Sequence, residues 1–472
     1  MTTNWNSGSV LFGARAALCI AAGLGAVLLA MPAMAQAQGE TVLYAFQGPT
    51  ADGENDATGL VVGSTGQIYG TTTYGGSGAC TYTNSNNTTY TVGCGVVFQL
   101  EPPSAPGGAW TESVIHSFTG GADGAFPNTL VEKSGILYGT AIAGGPGASA
   151  GSGAGVVFKL TPPAAPGDKW KETVMYSFCK KTGCPDGENP LDGPILVGSD
   201  LYGTTAYGGA SAFGTVFQLT TAAKPVFTSL YSFKGGSSDG ANSYFGLIAN
   251  KSGTLYGETN QGGGTGCGGN GCGAVFALTP PATAGNPYTE TVIYAFAGGS
   301  AGQNPSGRLT LKGADLLGVA GGGSFNYGII YELTPPKTGT LWTQTVLTNF
   351  DPGTLFGIDG GTFPNGNLIV GANGSIYGTT YGGGDPNLQF GYYFPGTIFE
   401  LTPPIATGGD WVQSLLYSFQ GGSDGLTPAW GLVSGPDGTL YGTTTLGGGT
   451  GCPAQAYNGT NVGCGTVFQF TP

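Results

Sequence analysis

An aromatic stretch that closes on phenylalanine recurs seven times in this chain, at Phe46, Phe118, Phe178, Phe233, Phe296, Phe350 and Phe419. Self-similarity of this kind constrains the fold more than any single motif, because each copy is one supersecondary unit that must bury its apolar face on its neighbours. Every copy carries four short segments of β-branched and aromatic residues set between Gly, Pro or Asp; in the last copy they are 415–419, 429–433, 439–444 and 466–470. No window outside the N-terminal apolar run has a helical period. Four strands in each of seven copies predict an all-β chain, a seven-bladed β-propeller of four-stranded antiparallel blades. A β-solenoid is the main rival, but its coils repeat at much shorter periods. The aliphatic second segment suits the crowded axis and the aromatic first segment the outer edge. On that order 41–46 is an outer strand that must share a blade with 466–470. The N-terminal strand then closes the ring and removes an open sheet edge.

The N-terminus is of a different kind. A polar start with Arg15 leads into an apolar run over 16–29 and then Ala33-Met34-Ala35, the pattern of a secretory signal cleaved after Ala35. Residues 1–35 are therefore expected to be a signal peptide and 36–472 a single propeller domain. No later stretch approaches the roughly 20 apolar residues of a spanning helix, so no transmembrane segment is expected and the mature protein is read as a secreted monomer, periplasmic, extracellular or at the cell surface. Charged residues make up only 8% of the chain, and the net charge is −13. That sign repels phosphate backbones and anionic headgroups, which excludes nucleic acid and membrane surfaces as partners. The 93 glycines would suit disorder, but 40% hydrophobic and 11% aromatic content do not.

Eight cysteines follow the signal and fall into sequence neighbours: Cys80 with Cys94, Cys179 with Cys184, Cys267 with Cys272, and Cys452 with Cys464. Four close pairs with no thiol left over fit four local disulfides in an oxidising compartment. A zinc site is disfavoured, since there is no CxxC spacing and His116 is the one histidine. Strand parity puts all four pairs on one face, with the loops that vary most in length.

The recurring Leu-Tyr-Gly-Thr-Thr followed by Gly-Gly, clearest at 201–205 and 440–444, and the Gly-x-Val-Phe-x-Leu-Thr-Pro-Pro of 155–163 resemble the GloVer tandem repeat of exported bacterial proteins, the choice-of-anchor family. The resemblance covers nearly all of the chain after the signal. It implies an exported, often surface-linked protein and no established reaction or catalytic residue. Family members typically carry C-terminal sorting signals, whereas this sequence stops at Thr471-Pro472.

Candidates for chemistry are few. His116 occupies a slot filled by Tyr176, Tyr231, Tyr294 and Tyr417 in other copies, which makes it a strand residue before a catalytic one. An aspartate followed by glycine recurs at Asp52, Asp123, Asp186, Asp239, Asp359 and Asp424, and Asp-Gly is first of all a turn dipeptide. Calcium is the alternative, with Asp186, Glu188 and Asn189, or Asp52, Glu54, Asn55 and Asp56, as oxygen donors. Tyr74, Tyr207 and Tyr381 stand before Gly-Gly on the cysteine-bearing face, where they either stack sugar rings or pack between blades. Trp110, Trp170, Trp342 and Trp411 precede the aromatic strand and read as blade-junction packing. These residues favour a non-catalytic binding or scaffold protein, with a glycan as the candidate partner and Asp52, Asp186, Asp239, Asp424, Tyr74, Tyr207 and Tyr381 as the candidate site. A carbohydrate-active enzyme using two carboxylates and a purely structural surface component are the alternatives.

Overall fold

Each repeat folds as an antiparallel meander of four strands, and the second copy shows the order: Val131–Lys133, Ile136–Ala143, Val156–Thr161 and Lys171–Ser177. The computed structural model describes residues 39–472 except 49–51, 84–88, 106, 147–152, 166, 284, 352–360, 385–394, 407, 449–451 and 453–462, with the backbone alone at 55–57 and 82–83. The expected signal peptide lies outside the described residues. Among the described residues there is no α-helix, only two short 3-10 turns, and no helix is long and apolar enough to cross a membrane. The arrangement is propeller-like. Seven such sheets follow one another, the sixth and seventh joined by a parallel bridge between Asn367 and Gly431. The seventh consists of Leu426–Ser434, Leu440–Leu446, Thr466–Thr471 and the N-terminal strand Gly39–Ala45, which pairs antiparallel with Thr466–Thr471 from Gly39↔Thr471 to Ala45↔Thr466.

The two most constant features of the repeat explain one another. The phenylalanine of Val-Phe in the third strand brings the tip of its ring over the glycine of Tyr-Gly-Thr-Thr in the second, so that a Cβ on Gly203 would sit 2.6 Å from Phe217 Cζ, and one on Gly378 2.6 Å from Phe399 Cζ. The same ring meets, edge to face, the phenylalanine that ends the outer strand of the preceding sheet. These pairs run Phe46–Phe98, Phe118–Phe158, Phe178–Phe217, Phe233–Phe276, Phe296–Tyr331, Phe350–Phe399 and Phe419–Phe468, at centroid separations of 5.1 to 5.4 Å. Each is worth about 0.5–1.5 kcal/mol beyond its buried area. Phe46, which follows the N-terminal strand, meets Phe98 of the first copy in the same way. Gly203→Ala is expected to cost about 1–3 kcal/mol by forcing the Phe217 ring out of place, read as a lower urea midpoint at unchanged slope.

Further contacts repeat at the same junctions. A residue with left-handed φ enters each sheet from the second to the seventh and donates its N–H to the sheet before: Phe126 to Cys94, Asn189 to Ala154, Asn242 to Phe213, Asn304 to Cys272, Phe363 to Tyr327 and Thr427 to Pro395. At the other end of the strands the tryptophans pack as expected, Trp110 on Tyr441, Trp170 on Tyr69 and Trp342 on Tyr256. The first strands crowd together; Gly59 and Gly193 both abut Thr129, and Gly307 abuts Gly366. Arg308 crosses this crowd. Its Nη2 lies 2.8 Å from Asp192 Oδ1 and its Nε 3.2 Å from Oδ2, so the fifth sheet is tied to the third past Gly246, whose N–H donates to the same Oδ2 at 2.7 Å.

Candidate functional site

The Asp-Gly aspartates close the turn that follows each outer strand. Asp239 Oδ2 accepts from Tyr231 Oη at 2.8 Å and from the Lys234 N–H at 2.8 Å; Asp424 Oδ2 accepts from Tyr417 Oη and from the Gln420 N–H. Asp52 takes Tyr44 Oη with the Gln47 and Gly48 N–H groups, and Asp186 takes Tyr176 Oη. Asp52 and Asp239 are buried. A glutamate from the outer strand of the next sheet faces four of the Asp-Gly aspartates: Glu112 opposite Asp52, Glu290 opposite Asp239, Glu40 opposite Asp424, and Glu172 opposite Asp123. Burial first, and then the neighbouring aspartate, pushes these four glutamates up to about 7. In the Asp123 set His116 replaces the phenol, with Nε2 3.9 Å from Asp123; burial lowers its pKa against the pull of that carboxylate.

The exceptions follow the same logic. Where Ala301 replaces the aspartate, the glutamate becomes Gln344, which accepts from Tyr294 Oη and donates to the Ala301 carbonyl. Opposite Asp186 the glutamate becomes Phe227, stacked on Tyr176 at 4.0 Å. The acid pair is thus built four times over, each time between consecutive sheets. Of the two sets of calcium donors, the side chains of Asn55 and Asp56 in one lie outside the described residues, and in the other each donor has its own contact. Asp186 serves Tyr176, Asn189 Nδ2 donates to the Ile142 carbonyl, and Glu188 Oε2 lies 3.3 Å from Cys184 Sγ. Among the described residues the one cluster of metal-type donors is Cys179, Cys184 and Glu188, and two of its three donors are tied in a disulfide.

The face that carries the disulfides presents the other group of candidates. All four neighbour pairs form: Cys80–Cys94, Cys179–Cys184, Cys267–Cys272 and Cys452–Cys464. Tyr74 and Tyr381 are half-buried, whereas Tyr207 is 39% exposed. Each of two tyrosines has an aromatic partner from the next sheet that the repeat pattern did not single out. Tyr74 meets Phe126 edge-on at 5.7 Å, and Tyr207 Oη lies 3.4 Å from Tyr244 Oη. Tyr327 and Phe363, at 5.5 Å and with Phe363 48% exposed, make a third pair. Phe126 and Phe363 are left-handed entry residues, where asparagine stands in three other sheets; an aromatic in so unsuitable a slot was the signal available in the sequence.

One departure lies deep in the sheets. In the fourth copy Glu258 replaces the first threonine of Tyr-Gly-Thr-Thr, and in the fifth Tyr331 replaces the phenylalanine of Val-Phe. Both are buried, Tyr331 Oη donates to Glu258 Oε1, and Oε2 has no partner. Burial pushes Glu258 up to about 8.

The sequence pattern described as the Gloeobacter/Verrucomicrobia repeat matches residues 77–321 and 264–472. No curated protein matches. Among solved structures, the phage phi92 endosialidase is similar at 10% identity and TM-score 0.44 over 92% of this chain and 68% of its own. NanB sialidase of Streptococcus pneumoniae is similar at 9% identity and 0.41, over 91% and 70% respectively. The aldose sugar dehydrogenase of Streptomyces coelicolor is similar at 11% and 0.39, over 80% and 97%. Likeness at that level carries none of their activities across.

Proposed function

We propose, from the premise that this chain belongs to the Gloeobacter/Verrucomicrobia repeat family, that it is a secreted seven-bladed propeller whose disulfide-bearing face binds a glycan without transforming it. The seven aromatic junctions, six Phe–Phe and one Phe296–Tyr331, and the pairing of Gly39–Ala45 with Thr466–Thr471 support a closed ring. Four disulfides support an oxidising compartment. The observation that carries the ligand class is the set of aromatic pairs straddling junctions on one face, Tyr74 with Phe126, Tyr207 with Tyr244 and Tyr327 with Phe363. Partly exposed aromatic rings offer flat apolar faces with a polar rim, which suit the C–H face of a pyranose, and a rigid scaffold positions the loops that bear them. The position of the four Asp–Glu pairs between consecutive sheets supports binding over hydrolysis.

The test is a glycan array with the mature protein, followed by titration of Tyr74→Ala, Tyr207→Ala and Tyr381→Ala variants against the best ligand. At least one variant should bind about tenfold more weakly, roughly 1.4 kcal/mol, at unchanged circular dichroism. Unchanged affinity in all three removes the tyrosines from the site. Release of reducing ends during the incubation would make the protein a hydrolase.

A further inference from the structure

We infer that Cys179–Cys184 is a thiol-exchange site for small anionic thiols, while the other three bridges are structural. Cys80, Cys94, Cys272, Cys452 and Cys464 are buried, so each of those three bridges has at least one shielded end. Cys179 and Cys184 are both half-exposed. Their place in the fold also differs. The other bridges lie in loops between the second and third strands of a sheet, but this one closes the turn after the outer strand Lys171–Ser177. Other copies make that turn with a glycine pair, Gly120-Gly121, Gly235-Gly236 or Gly421-Gly422, and no bridge. Here the turn is held independently by Tyr176 Oη on Asp186 and by the N–H groups of Gly187 and Gly209 on the Cys184 carbonyl. Cutting the S–S bond therefore leaves the turn in place. Both cysteines have left-handed φ, 55° and 45°, a region unfavourable to residues with a Cβ.

Access and charge point the same way. Cys179 lines a cavity of about 570 Å³ together with Phe178, Ser177 and Lys180. Lys180 and Lys181 follow it directly, a local cationic patch on a chain of net charge −13. Cations beside a disulfide attract an incoming thiolate, while Glu188 beside Cys184 favours the leaving sulfur as a protonated thiol rather than a thiolate. In the step, an incoming thiolate attacks Cys179 Sγ and the S–S electron pair departs on Cys184 Sγ. Cys184 takes from water the proton that the incoming thiol gave up. The products are a mixed disulfide at Cys179 and a Cys184 thiol, which donates to Glu188 Oε2, 3.3 Å away; a second thiol resolves the mixed disulfide, leaving Cys179 reduced and the two small thiols joined. Attack on exposed Cys267 would instead expel Cys272 as a thiolate inside an apolar cluster, which is slow.

The oxidised full chain is incubated with graded reduced glutathione, trapped with iodoacetamide and mapped by mass spectrometry, with near-ultraviolet circular dichroism in parallel. A glutathione adduct on Cys179 and alkylation of Cys184 should appear at least tenfold faster than modification of any other cysteine, with the dichroism unchanged. Cysteamine, a cationic thiol, should react more slowly, and Lys180→Ala with Lys181→Ala should reduce the glutathione rate severalfold at unchanged Tm. Equal rates for all four bridges, earlier loss of Cys267–Cys272, reduction only with loss of the dichroism, or a faster reaction with cysteamine would each overturn the proposal.

Discussion

Arg308→Ala is expected to cost about 3–5 kcal/mol, the largest single loss predicted for this chain. Removing one partner of a buried ion pair strands the other charge, and that penalty exceeds what the pair gains over apolar packing. Asp192 is only 4% exposed. Its Oδ1 would keep the Gly193 N–H and its Oδ2 the Gly246 N–H, but no cation would remain. Asp192→Ala should cost less, because Arg308 is on the more accessible side of the pair and keeps the Gly193 carbonyl. The double variant should lose well under the sum of the two, a coupling that a urea-denaturation cycle measures. Additive losses would mean that the two charges do not depend on one another.

The second large effect concerns Glu258 and Tyr331, and it carries a pH dependence. Tyr331→Phe leaves a buried carboxyl without its one hydrogen bond and should cost about 1–3 kcal/mol. Glu258→Thr combined with Tyr331→Phe restores the residues that most other copies carry, and should be at least as stable as the parent at pH 8. The sign follows from proton binding. Glu258 is pushed up to about 8, and Glu40, Glu54, Glu112, Glu172 and Glu290 to about 7, against 4.5 when unfolded. Between those values the folded chain holds more protons than the unfolded one. Stability is therefore greatest toward pH 4.5–5 and falls as pH rises through 7 to 8. His116, whose pKa burial lowers, works in the opposite sense below its unfolded value of 6.5, one group against six. Thermal melts should give a lower Tm at pH 8 than at pH 5, with a shallower fall in the double variant. A Tm that rises across this range would contradict the burial of these carboxyls.

What could be read beforehand was whatever recurs. The phenylalanine and the glycine it covers repeat because the ring fills the space a Cβ would take, so meander order followed from spacing and the outer edge from the aromatic character of the first segment. Cysteine neighbours paired because each pair lies within one loop. The Asp-Gly turns were legible as turns, but their phenol partners were not, since Tyr231 and Asp239 meet only once the outer strand has turned back. Arg308 and Asp192 escaped notice for a related reason. Each is an ordinary surface residue type in a single copy, and a whole repeat separates them. Glu258 and Tyr331 were visible as exceptions, yet nothing in the linear pattern says that the second strand of one copy lies beside the third strand of the next.

The hydrogen bonds between Gly39–Ala45 and Thr466–Thr471 also set the order in which this molecule can be completed. A chain that emerges from its N-terminus first releases Gly39–Ala45 before any partner exists, and the strand it needs is made only after the six intervening sheets. Six sheets can assemble locally as they appear, each from contiguous sequence, while the seventh waits for both ends. Its closure is a long-range event governed by loop entropy rather than by local preference. Until then one sheet lacks its outer strand and offers an unpaired edge to solvent and to other chains. Slow refolding, and aggregation that a peptide copying residues 39–47 suppresses in trans, are what this arrangement entails.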